Sequence, residues 1–198
     1  MKIGLYFGSF NPIHHGHLIV AQTMLQDTDL QEVWFVVSPQ NPFKKAASLL
    51  NENHRFQLVE LAIESAQGLR ASKVEFKLPR PSFTVDTLAY LKEQYPQHEW
   101  VIIMGSDGFK NIHQWKNADY LLANYAIYVY PRPGYTLENQ KNASVKLITA
   151  PLLEISSTHI RYLISCRKSI RYLVPETVES EINRQHYYQS AMENPAKK

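Results

Sequence analysis

Three features of the sequence predict an α/β fold, a mostly parallel sheet with helices on both faces. Apolar runs of strand length recur at residues 3–7, 32–37 and 99–104. Stretches of helical periodicity separate them, which is the spacing of βαβ units. Turn-forming or small residues follow each run, at Gly8–Ser9, Ser38–Pro39 and Gly105, and in such sheets ligands bind beyond the carboxyl ends of the strands. The reading is Rossmann-like.

In chain order, residues 3–7 form a buried first strand, and 18–25 carry apolar residues at helical spacing, with Gly16 and His17 at or near the helix start. The run EVWFVV at 32–37 is a second strand, closed by the Pro- and Asn-punctuated loop SPQNPFKK. Phe56, Val59 and Ile63, with Leu58, Leu61 and Ala62, give an amphipathic helix over 53–66. A short strand is expected at 72–76 and a helix over 85–94, after the loop PRPSFT. EWVIIM at 99–104 is the third strong strand, and 125–130 and 145–149 are two further candidates. Right-handed crossovers bring the loops after Phe7, Val37 and Met104 to one edge of the sheet. Those loops carry His14 and His17, Lys44, and Asp107. Residues 1–189 read as a single domain and 190–198 as a polar tail.

Composition narrows the function classes. Apolar residues are 44% and charged residues 20% of 198, a folded globular chain with one well-packed core. The formal charge of +3 suits an anionic small substrate, while no Lys/Arg block is dense enough for a nucleic-acid track. Cys166 is the only cysteine, which excludes an internal disulfide and a cysteine metal cluster. No signal-peptide pattern or membrane-length apolar run is present, so a cytoplasmic location without membrane attachment is expected. Twelve tyrosines and eight phenylalanines point to flat surfaces for a ring or a partner. Oligomeric state stays open.

The run GSFNPIHHGH holds the densest chemistry. Gly8 and Ser9 let backbone amides approach a phosphate, and Ser9 adds a hydroxyl. His14 and His17 stand three apart, close to one helical turn, so both rings can face one ligand if the helix begins early. Imidazoles there can donate to phosphate oxygens, and a phosphoryl group under in-line attack mainly needs its charge held. Two other readings stay open: histidines that only cap and solvate a helix start, and a metal site from His14, His15 and His17, for which no acidic third ligand is nearby.

Further along, Ser156, Ser157 and Thr158 are hydroxyl donors at a helix start, with Arg161 one turn on. They could bind an anion or form an ordinary N-cap with a surface arginine. Lys44 reads as a loop lysine. Thr84 and Asp86 precede an apolar helix as a plain capping arrangement. Asp107 sits at a helix start, where a carboxylate is favoured. Trp115 reads as an interface or core residue, and Arg132 is either a phosphate or carboxylate contact or a solvated turn residue.

GSFNPIHHGH resembles the HxGH signature of the nucleotidyltransferase superfamily, and nearly the whole chain is similar to bacterial nicotinate-mononucleotide adenylyltransferases. ISSTHIR matches their second signature, and IRYLVPETVESEI their C-terminal segment. The resemblance implies adenylyl transfer from ATP to nicotinate mononucleotide in NAD biosynthesis, giving deamido-NAD and pyrophosphate. It implies ATP as co-substrate, with Mg²⁺ carried on it and no protein-bound metal. His14, His17, Lys44 and Arg161 become the catalytic candidates. Gly8, Ser9, Phe10, Gly105, Asp107, Ser156, Ser157, Thr158 and Ile160 join them on the nucleotide side. Asn11, Thr84, Trp115 and Arg132 are the acceptor-side candidates, with the indole facing the nicotinate ring. The chain departs from the family at Asn11, commonly aspartate, and at Phe43, commonly histidine. An acceptor other than nicotinate mononucleotide, such as nicotinamide mononucleotide, and a non-catalytic nucleotide-binding module are the alternatives. An oxidoreductase does not fit, because the spaced GxGxxG turn is missing.

Overall fold

A computed structural model of the chain describes residues 1–40, 49–132, 145–151 and 153–189. The strands β1 (Lys2–Gly8), β2 (Glu32–Val37), β3 (Leu69–Ser72), β4 (Glu99–Gly105), β5 (Ala126–Tyr130) and β6 (Val145–Leu147) form one sheet in the order β3-β2-β1-β4-β5-β6. Every pairing is parallel. The strand order therefore reverses between β1 and β4, which opens a crevice at their carboxyl ends.

The helices are α1 (His15–Gln26), α2 (Glu52–Ile63), α3 (Thr84–Gln94), α4 (Ser106–Lys110), α5 (Ala118–Asn124), α6 (Ser157–Ser165) and α7 (Glu176–Arg184). Alternation along the strands divides the core between the two faces of the sheet. Tyr6, Phe35, Val101 and Ile103 pack with Met24, Leu58, Ile160 and Ile182 of α1, α2, α6 and α7. Leu5, Trp34, Ile102 and Met104 pack with Leu88, Phe109 and Leu121 of α3, α4 and α5.

The strand expected at 72–76 is corrected: β3 ends at Ser72 and a 3₁₀ turn follows over Val74–Lys77. Val74 and Phe76 mimic strand alternation, but the residue between them, Glu75, is buried rather than solvated. The helix expected over 53–66 ends at Ile63, and the strand expected over 145–149 ends at Leu147. The short helix α5 and the late helix α7 carry weak sequence signals; α7 is held by Val178 and Ile182 in the core.

One buried cation organises the carboxyl edge. Arg55 of α2 is fully buried and donates to the carbonyls of Leu50 (2.8 Å), Ser9 (2.5 Å), Ser38 (2.9 Å) and Pro39 (3.1 Å). Burial lowers its pKa from the ordinary arginine value, and the four acceptors offset that cost. Arg55→Ala would strand these carbonyls, so urea denaturation is expected to show a loss of about 3 kcal/mol or more. A loss under about 1 kcal/mol would show that water replaces the guanidinium.

Candidate active site

α1 begins at His15, ahead of the apolar run that predicts it, with His14 in extended backbone as its N-cap. That early start stacks the His14 and His17 rings at 3.6 Å and 23°. Gly16 leaves room for the ring, since a Cβ there would lie 3.1 Å from His14 and press it aside. Phe10 and Tyr6 meet His17 edge-on at 5.1 and 6.1 Å. Phe10 itself takes φ 43°, a strained region for a bulky residue and common at ligand sites.

His14 is 5% exposed. Burial first, then the charges of Arg132 and His15, pulls its pKa down to about 4, so it is neutral at physiological pH. His14 Nδ1, Ser9 Oγ and Arg161 Nε are buried with no hydrogen-bond partner among the described residues. Such atoms are uncommon in folded proteins, and all three belong to one cavity of about 430 Å³ at the end of β1.

α6 forms the opposite wall. Ser156 caps it, its hydroxyl accepting from the His159 amide at 3.2 Å. Ser157 Oγ donates to the Pro12 carbonyl at 2.9 Å, and Arg161 Nη1 to the Asn11 carbonyl at 2.8 Å. Thr158 Oγ1 lies 3.4 Å from Arg161 Nη2, and burial lowers the Arg161 pKa. Gly8, Ser9, Phe10, Asn11, His14, His17, Ser156, Ser157, Thr158 and Arg161 all line this cavity. Ile160 is not among them; its side chain is fully buried in the core beneath α6. Asn11 is committed to the wall, its Oδ1 accepting from the Leu50 amide (3.2 Å) and the Tyr188 hydroxyl (3.0 Å). Lys44 lies outside the described residues.

A second cavity of about 610 Å³ adjoins the first, sharing Tyr6, Phe7, Gly8, Tyr130 and Arg132 with it. Thr84 and Trp115 line it, and so do Gly105 and Asp107, which thereby fall away from the His14–His17 cavity. A Cβ at Gly105 would displace the Asp107 carboxylate and stand 3.2 Å from Arg132 Nε. Asp86 pairs at 2.9 Å with Nζ of Lys116, which lines the same cavity.

At the junction of the two cavities the structure adds residues that the motifs did not single out. The buried hydroxyls of Tyr6 and Tyr130 lie 3.0 Å apart, and Arg132 Nη2 donates to Tyr130 at 3.1 Å. Arg132 Nε stands 3.7 Å from Asp107. Burial works against the Arg132 charge, but Tyr130, Asp107 and Tyr6 outweigh it and raise the pKa. Strand alternation was the available signal for the tyrosines. For Arg55 it was spacing, four and eight residues before Val59 and Ile63 on an apolar helix face.

No group of three His, Cys, Asp or Glu able to hold a metal ion occurs among the described residues, and no helix among them is long and apolar enough to cross a membrane. The first cavity presents hydrogen-bond donors and cations, a set that suits an anion.

The chain is similar to known proteins in sequence and in fold. A family model described as cytidylyltransferase-like matches residues 5–163. A probable nicotinate-nucleotide adenylyltransferase of Cytophaga hutchinsonii is 56% identical over 191 residues, covering 95% of this chain and 98% of its own. One of Flavobacterium johnsoniae is 48% identical, with coverages of 95% and 99%. In fold, the chain matches Plasmodium falciparum nicotinic acid mononucleotide adenylyltransferase complexed with NaAD, with TM-score 0.83, 22% identity and coverages of 97% and 99%. Taken with the His14–His17 pair at the start of α1 and the hydroxyl-rich start of α6, these matches mean that the chain belongs to the nicotinate-nucleotide adenylyltransferases of the cytidylyltransferase-like family.

Proposed function

We propose that this protein transfers the adenylyl group of ATP to nicotinate mononucleotide, releasing pyrophosphate and forming deamido-NAD. The observation that carries this reading is the pair of adjoining cavities. One gathers His14, Ser9 and Arg161 with buried polar atoms in want of a partner. The other offers an indole and the start of α3. A triphosphate suits the first and a pyridine nucleotide the second, which puts the two reacting phosphates at the shared wall of Tyr130 and Arg132.

The reaction needs no covalent intermediate on the protein. A phosphate oxygen of nicotinate mononucleotide attacks the α-phosphorus of MgATP, the bond to the β-phosphate oxygen breaks, and magnesium pyrophosphate leaves. His14, His17 and Arg161 hold the charge that develops on the equatorial and leaving oxygens, and the Ser156–Thr158 segment orients the triphosphate. Arg132 at the junction reduces repulsion between two anions. Mg²⁺ travels with the substrate on phosphate oxygens. Trp115 offers an aromatic face to the electron-poor pyridinium.

Pyrophosphate release with MgATP is expected to be fastest with nicotinate mononucleotide among that acceptor, nicotinamide mononucleotide and phosphopantetheine. Preference for either of the other two would replace the acceptor assignment. His17→Ala is expected to lower kcat by about 10²- to 10³-fold with an unchanged melting temperature, whereas near-normal kcat would remove His17 from catalysis. Trp115→Ala should raise the acceptor KM about tenfold or more and leave the ATP KM within twofold.

His14 makes a pH prediction of definite sign. Its folded pKa lies below the unfolded value of 6.5 at about 4, so between these values the unfolded chain binds the extra proton. Stability of the free protein should therefore fall as pH drops from 6.5 to 4, by up to roughly 3 kcal/mol, and His14→Asn should flatten that slope. A bound polyphosphate favours the imidazolium. ATP binding near pH 6 is then expected to take up a proton, seen by calorimetry as a binding heat that depends on the buffer's ionisation heat. A buffer-independent heat would mean that His14 stays neutral beside the phosphates.

A further inference from the structure

Glu75 lies in the 3₁₀ turn after β3, is 2% exposed and forms part of the wall of the second cavity. No cation pairs with it among the described residues. Three hydroxyls serve it instead: Ser82 Oγ donates at 2.7 Å, Thr87 Oγ1 at 3.0 Å, and Ser38 makes a third bond. Burial raises its pKa and these bonds act in the opposite sense. A carboxyl in such a place is costly unless its hydrogen bonds are complete.

The donors show what the carboxyl holds. Ser38 terminates β2, and its carbonyl is already fixed by Arg55. Ser82 and Thr87 bracket Phe83 and Thr84, the residues that line the cavity and open α3. No side chain caps α3, so the first amides of an eleven-residue helix face outward with the positive end of its dipole.

We propose that Glu75 is a positioning residue for the acceptor: by gathering Ser38, Ser82 and Thr87 it sets the uncapped start of α3 against the second cavity for an acceptor carrying negative charge. The assignment rests on the acceptor reading above. Its action is through hydrogen bonds and not through charge, because an ionised carboxylate by itself would repel such a ligand.

The test is steady-state kinetics of Glu75→Ala and Glu75→Gln with MgATP and nicotinate mononucleotide, beside thermal melts. Glu75→Ala is expected to raise the acceptor KM about tenfold or more and to leave the ATP KM within twofold. Glu75→Gln keeps an acceptor and the shape of the bracket, and should restore the acceptor KM to within about threefold of the native value. An unchanged acceptor KM in Glu75→Ala overturns the proposal. Equal rises in both KM values assign Glu75 a general structural role and also overturn it. An acceptor KM in Glu75→Gln below the native value shows that charge governs and overturns the hydrogen-bond account. If Glu75→Ala does not fold, the Glu75→Gln result together with Ser82→Ala, expected to raise only the acceptor KM by about three- to fivefold, decides the question. If the native protein uses another acceptor, the acceptor reading fails separately, and the same KM split measured with that acceptor still judges Glu75.

Discussion

The buried guanidinium of Arg55 is the constraint on which the site depends. Parallel strands end in loops whose carbonyls have no partner in the next strand, and a crevice at the switch point cannot be lined by carbonyls alone without losing its shape. Arg55 bonds the carbonyls of Ser9 after β1 and of Ser38 and Pro39 after β2, and so joins the two loops that flank the crevice. Its rigid fork of donors suits this work in a way that a lysine's single ammonium does not. The price is a desolvated charge inside the main apolar face of α2.

From that anchor, order passes along hydrogen bonds rather than along the chain. Leu50, another Arg55 partner, donates its amide to Asn11, which also receives the Tyr188 hydroxyl. Asn11 and Pro12 in turn present carbonyls to Arg161 and Ser157, 150 and 145 residues away in sequence. The Leu173 carbonyl accepts from the His15 amide at 3.0 Å and fixes the start of α1. Both signatures and the C-terminal segment thus share one bonded frame.

The electrostatics follow from how that frame excludes water. His14 is kept neutral by burial and by Arg132, so the unliganded site does not hold two stacked imidazolium rings face to face. Arg132 is kept charged by the tyrosine pair and Asp107. A site built in this way meets arriving phosphates with donors already aimed, and little reorganisation is left for the chemical step.

The βαβ order, the carboxyl-edge loops, and two signatures whose residue types point to phosphate binding are all legible in the order of residues alone. These are local properties: apolar period, turn chemistry and hydroxyl or imidazole content survive in a string of letters. The sequence pattern misplaced β3, because Val74 and Phe76 alternate like a strand and only burial of Glu75 reveals a turn. That Gly105 and Asp107 line the second cavity was likewise illegible, since the side of β4's end that they face depends on neighbouring strands. The places of Arg55, Glu75, Tyr6 and Tyr130 emerge only once the chain is folded. Each acts through partners distant in sequence, and a buried polar group declares its purpose only when the groups that complete its hydrogen bonds are in place.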